Sequence, residues 1–300
     1  MEIWASFLSF ECEKGDLRLF CKEMERRDSG VKSFLRVFGA FGLAELVTAT
    51  VLAPIERYQI LRQTQMLATT PSPYSGLRNY LLTAGKTEGI LALWKGNLAG
   101  CFRLIVSSVV RFRCYPLVHL STGESEVAAI GQDVWLGLAV LLAAYPLDLV
   151  RTRLAADIVV KGAEPGYFGV FECLSTTMRT SGLKSGFQGF SLTFATLGPY
   201  IALARLLDRS ALTSIPKEWE IAYKTSYLAV LQTLFYPFDT LRKRLQVSGA
   251  WGKAPKYSSA WNCLATSLQK EGFFTLYQGW PAHMLRLLPS LYLFQSLSRL

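Results

Sequence analysis

The sequence runs to 300 residues, 51% hydrophobic and 13% aromatic but only 18% charged, and a charged share below the roughly 25% usual in soluble domains points toward lipid. Its net charge of +10 is scattered through apolar segments with no groove-reading motif among them, which argues against a nucleic-acid partner. The six cysteines, Cys12, Cys21, Cys101, Cys114, Cys173 and Cys263, form no C-x-x-C pair and stand near no histidine cluster, so they read as small, reduced packing residues.

The first 30 residues, MEIWASFLSFECEKGDLRLFCKEMERRDSG, carry five Glu and two Asp. Transit peptides are poor in acids and secretory signals open with positive charge, so this stretch reads as a retained extension, which a partner would have to hold. A long helix follows over Ser33–Met66, interrupted by Pro54. After the turn at Tyr74-Ser75-Gly76 comes a short amphipathic helix within NYLLTAGKTEG, and then a second long helix over Gly96–Leu120. The order repeats. Ala128–Ala156 contains Pro146, Tyr167-Phe168-Gly169 makes the turn, and Gly189–Ala211 is the fourth long helix. Glu220–Val247 contains Pro237, Tyr257 follows, and Gly279–Leu300 is the sixth. Only Ser185–Ala204 is a strongly apolar run of membrane-spanning length. Val134–Leu147 lies between Asp133 and Asp148, and Thr225–Phe238 between Lys224 and Asp239. Charges at such depth must face a polar interior, so hydropathy by itself undercounts the spans.

Three landmarks keep one period. Pro54, Pro146 and Pro237 are spaced by 92 and 91 residues; Tyr74, Tyr167 and Tyr257 by 93 and 90; Gly96, Gly189 and Gly279 by 93 and 90. The chain therefore divides into an N-terminal extension, 1–30, and three homologous units, 31–121, 122–213 and 214–300.

The proline segments read PIERYQ, PLDLVR and PFDTLR, and resemble the Pro-x-acid-x-x-base signature of the mitochondrial carrier family. The segments EGILALWKG, SGLKSGFQG and EGFFTLYQG are similar to that family's second signature, and the resemblance covers Ser33–Leu300. The first repeat is closest to the ADP/ATP carriers, through APIER and WKGNLAG. The resemblance implies an all-α membrane protein: six transmembrane helices in a pseudo-threefold barrel, three short helices on the matrix side, a multi-pass place in the mitochondrial inner membrane, and solute exchange by alternating access.

It also implies roles for particular residues. The acid after each proline would meet the base of the next repeat to close the matrix side: Glu56 with Arg151, Asp148 with Arg242, and Asp239 with position 59, which is the uncharged Gln59. Arg62 or Lys243 is the local candidate for the missing charge. Substrate contacts would fall at Arg103, Ser107, Arg111, Thr196, Leu197 and Arg286. Arg103 and Arg111 share a helix face with Ser107 between them, and arginine forks suit phosphate or carboxylate. The alternative is that these arginines pair internally or bind anionic lipid. No ADP/ATP-carrier triple-arginine run is present, RKRLQV standing in its place, so the solute stays unnamed. Tyr74, Gly76, Gly96, Tyr167, Gly169, Gly189 and Gly279 match the family's cardiolipin turns, so bound cardiolipin is expected and no other cofactor. The cytoplasmic ring is nearly erased: YPLVH, LDRSA and FQSLS keep Asp208 alone, with Pro116, Ala211, Gln295 and Ser298 at other ring positions.

His119 and His283 lack partners at ligand spacing, and no catalytic constellation stands out, so the chain does not read as an enzyme. Two functions remain open: transport of a small anionic solute, and a transport-inactive structural subunit of an inner-membrane respiratory complex. Loss of the cytoplasmic ring predicts a state closed on the matrix side.

Overall fold

The computed structural model describes residues 42–67, 76–119, 126–158, 166–214, 216 and 219–297. The extension, Tyr74 and Cys12 and Cys21 lie outside these. Every regular element among the described residues is helical. The long helices are α1 (Leu43–Thr64), α3 (Asn97–His119), α4 (Glu126–Ala156), α6 (Phe190–Ser214), α7 (Glu220–Val247) and α9 (Trp280–Leu297). The short ones are α2 (Leu77–Thr87), α5 (Val170–Ser181) and α8 (Ala260–Glu271), each followed by a tight 3-10 segment. Helix runs through Pro54, Pro146 and Pro237, and also through Pro199 and Pro289 on α6 and α9.

The long helices close into a ring: each of α1, α3, α4, α6, α7 and α9 packs on the next, and α9 packs on α1. The three proline helices α1, α4 and α7 also touch one another pairwise. That is threefold packing. By length and composition three segments can cross a membrane, Ile90–Cys114, Ala128–Ala156 and Leu183–Asp208. Among its six spans the sequence reading found one uninterrupted apolar run of that length, since a helix in a ring tolerates an occasional inward charge.

Three small apolar clusters repeat the symmetry at the end that carries the short helices. Tyr58 and Leu61 of α1 pack with Tyr80 and Ala84 of α2 and with Ala282 of α9. Val150 and Leu154 of α4 pack with Val170 and Cys173 of α5 and with Ala99 of α3. Leu241 and Leu245 of α7 pack with Cys263 of α8, and Leu192 of α6 lies against them. In each case a short helix is pinned between its own proline helix and the long helix before it in the ring. Burying one such Leu or Tyr side chain stabilises by about 1.5–3 kcal/mol. Cys173 and Cys263 sit fully inside these clusters as free thiols; burial pushes Cys173 up to about 12 and Cys263 up to about 11.

Gly96, Gly189 and Gly279 show why glycine recurs at the aromatic-x-Gly turns. Their φ angles are +87°, +81° and +87°, a region that L side chains rarely adopt. A Cβ on Gly96 would lie 2.8 Å from the Arg151 carbonyl, one on Gly189 3.3 Å from that of Arg242, and one on Gly279 3.0 Å from that of Gln59. Each glycine thus lets a long helix begin against the backbone of the next proline helix. Gly76 and Gly169, by contrast, have φ of −161° and −174°, extended backbone open to any residue, so those two turns do not need glycine for conformational reasons.

Candidate functional site

The close approach of α1, α4 and α7 brings their motif side chains together on the ring axis. Glu56 of α1 forms an ion pair with Arg151 of α4, both nearly fully buried. Arg242 of α7 lies 3.5 Å from Asp148 of α4 and 2.8 Å from Asp239 on its own helix. Arg242 therefore bridges two carboxylates, which answers the question posed by Gln59. Asp239 takes its charge from Arg242, three residues on, and a hydrogen bond from Gln63 Nε2 at 3.1 Å. Of the two local candidates, Arg62 donates to Gln65 instead, while Lys243 adds its charge to the field at Asp239, lies 4.0 Å from Asp148 and donates to Thr152. Gln59 is buried and its Oε1 has no hydrogen-bond partner.

A glutamine one turn beyond the base position supports two of the carboxylates. Gln63 donates to Asp239, and Gln246 donates to Asp148 at 2.9 Å while accepting from Thr152 at 2.8 Å. The third equivalent position is Ala155, which has no amide to offer. Glu56 is approached instead by Arg286 of α9, at 3.9 Å.

A second set of arginines clamps the short helices. Arg57, Arg153 and Arg244 donate from Nε to the carbonyls of Ala155, Gln246 and Gln63, which are equivalent positions in the next repeat. Their outer nitrogens reach Glu88 at 2.7 Å, Thr177 and Gln188 at 2.8 Å, and Glu271 at 3.1 Å respectively. A guanidinium suits this task because its rigid fork binds two elements at once. Sequence reading overlooked both sets. The signal was there for Gln63 and Gln246, each four residues past the base position, and for Arg153 and Arg244, one period apart. Arg57 was hidden because it comes from one turn earlier in its helix.

Deeper in the ring, Arg103, Ser107 and Arg111 of α3 are all buried, at 2%, 4% and 5% exposure. Ser107 Oγ has no hydrogen-bond partner. The charged groups acting on Arg103 are chiefly Arg151, Asp148 and Glu56, which puts it beside the motif ring. Arg286 adjoins Glu56, and its Nη2 is 3.5 Å from His283 Nδ1. Thr196 turns its hydroxyl to carbonyls of its own helix, at 3.1 Å each, and lines a cleft with Tyr200, Asp239 and Arg242. Leu197 packs into the largest apolar cluster with Leu136, Ile201 and Leu231, in the wall between helices.

At the opposite end of the ring, Asp208 lies 3.5 Å from Lys224 and accepts from Tyr227. Asp133 of α4 pairs with Arg205 of α6. The side chains of Pro116, His119, Ala211 and Gln295, and all of Ser298, lie outside the described residues.

The sequence profile described as mitochondrial carrier protein matches residues 30–124, 135–207 and 228–297. ADP/ATP translocase 2 of Rattus norvegicus is 30% identical over 276 residues, covering 85% of this chain and 92% of the relative. ADP/ATP translocase 3 of Homo sapiens is 29% identical over the same shares. The mitochondrial substrate carrier family protein ancA of Dictyostelium discoideum is 29% identical over 277 residues, 85% and 88% of the two chains. With three matched stretches, threefold ring packing and motif carboxylates meeting on the axis, the chain belongs to the mitochondrial carrier family, whose members are multi-pass transport proteins of the mitochondrial inner membrane and not enzymes.

Proposed function

We propose that the chain exchanges a small anionic solute across the inner membrane, bound by Arg103, Arg111 and Arg286, with the carboxylates and bases of α1, α4 and α7 as the matrix-side closure. The observation that carries this reading is the burial of Arg103 and Arg111 on α3 inside the ring, with the Arg286 side chain of α9 only 14% exposed beside Glu56. A buried cation in a membrane protein is costly and is retained where it has a use. A guanidinium there offers paired donors matched to phosphate or carboxylate oxygens. Because relatives carry the name ADP/ATP translocase, adenine nucleotides are the first solutes to try.

Arg286 supplies a coupling step. It shares Glu56 with Arg151, so an anion that engages Arg286 draws one of two cations from that carboxylate and loosens the α1–α4 contact. Ser107 lies between Arg103 and Arg111 with an unused hydroxyl, and Thr196 borders the same interior near Asp239. Anionic lipid, cardiolipin above all, is assigned to the helix starts at Gly76, Gly96, Gly169, Gly189 and Gly279, because the first-turn N–H groups of a helix suit a phosphate. The competing reading, a transport-inactive subunit of a respiratory complex, draws no support from the packing or the relatives.

The test is uptake into liposomes from a panel of ADP, ATP, phosphate and dicarboxylates. At least one should exchange, and Arg286→Ala should abolish that exchange. Folded protein that moves none of the panel, or uptake unaffected by Arg286→Ala, overturns the reading.

A further inference from the structure

His283, which the sequence reading left without partners, has no part in the transport scheme above, yet it is completely buried on α9 and contacts more than one working element. Its Nε2 lies 2.7 Å from Gln232 Oε1 of α7. Its ring centroid lies 5.4 Å from that of Tyr236, one turn along the same face of α7, whose hydroxyl is itself anchored on the Gln278 carbonyl at 2.9 Å. Its Nδ1 lies 3.5 Å from Arg286 Nη2, three residues on along α9.

The protonation state follows from the partners. A guanidinium nitrogen only donates, so Nδ1 must accept and carry no proton. The remaining proton sits on Nε2, which fits an amide oxygen at 2.7 Å. An imidazolium would lose the acceptor and set two like charges together. The neutral Nε2–H form is thus the one form that satisfies both contacts. Gln232 and Tyr236 fix the ring, and the ring fixes the guanidinium.

We propose that His283 is a positioning residue for Arg286, holding its guanidinium toward the interior and limiting its pairing with Glu56 to a long 3.9 Å contact. The inference deepens the transport reading and rests on it for its consequence, since Arg286 is the group placed there as solute-binding. Without the Nδ1 acceptor, the guanidinium collapses onto Glu56 and is withdrawn from the solute. An anion then binds more weakly, while the rate of the loaded carrier is little changed, because binding and not the later step loses its partner.

The experiment has two arms. The first needs no solute: the full chain is labelled with 15N-histidine in nanodiscs, and, since the sequence has two histidines, the His283 signals are those that vanish in His283→Asn. We expect an unprotonated Nδ1 and protonated Nε2 from pH 6 to 8, and a clear shift of the Nδ1 resonance in Arg286→Leu. A proton on Nδ1, an imidazolium, or a resonance indifferent to Arg286→Leu overturns the proposal. The second arm measures ADP exchange in liposomes. His283→Leu should raise KM about tenfold with Vmax nearly unchanged, and His283→Asn, which keeps an acceptor close to the Nδ1 position, should recover most of it; equal loss in both variants overturns the proposal. If the unaltered protein takes up no ADP, that result counts against the nucleotide as solute, while the tautomer still decides whether His283 positions Arg286.

Discussion

Replacing Glu56 by Gln tests the site at its most connected point. The change keeps the shape and removes the charge, leaving the Arg151 guanidinium, 4% exposed, without its ion-pair partner and Arg286 without its neighbour. Taking one member from a buried pair costs about 3–5 kcal/mol, because the remaining charge stays desolvated. The groups here are almost fully buried, so solvent screening offsets little of that. At roughly 2–4 °C per kcal/mol for a chain of this size, the thermal transition in detergent should fall by on the order of 10 °C. Adding Arg151→Gln removes the stranded cation, so the double variant should melt above Glu56→Gln alone, with a coupling energy of at least about 1 kcal/mol. Intrinsic tryptophan fluorescence during heating reads all three transitions. A fall of less than about 2 °C for Glu56→Gln, or strictly additive losses in the double variant, would refute the view that this pair holds α1 against α4.

Gln59→Lys should supply the missing cation at the α1–α7 contact, raising the melting temperature by a few degrees and slowing exchange, as a matrix side held shut more firmly requires; faster exchange with lower stability would count against that assignment. Gly96→Ala should destabilise by clearly more than Gly272→Ala: both glycines have positive φ and share the backbone cost of about 1–2 kcal/mol, but a Cβ at 96 meets the Arg151 carbonyl at 2.8 Å and one at 272 meets nothing within 4 Å. Equal losses, measured by thermal unfolding, would mean that the close approach contributes nothing. Cys173 and Cys263 should resist maleimide at pH 7 to 8 in the folded protein and react at once on unfolding, since burial raises their thiols to about 12 and about 11 and the thiolate is the reactive form. Folded-state labelling at pH 7 as fast as that of a small free thiol would show that the clusters around α5 and α8 are open.

Much was determined by local pattern. The positions of the long helices and the threefold period follow from repeated motifs, while the meeting of Glu56 with Arg151 and Asp148 with Arg242 was implied by the family resemblance that those motifs carry. The helix over Glu220–Val247 came out with the bounds read from the sequence. What the period could not decide was how the repeats depart from symmetry. Whether Asp239 would take Arg62, Lys243 or another cation depended on a rotamer of Arg242 that spans two carboxylates, and no spacing rule encodes a side-chain direction. Arg57 does the work of Arg153 and Arg244 from one turn earlier, which an in-register comparison passes over. His283 looked solitary because Gln232 lies fifty-one residues away on α7, and a hydrogen bond between helices exists only once the ring has closed. Local pattern sets which residues line the axis, and packing sets which of them touch.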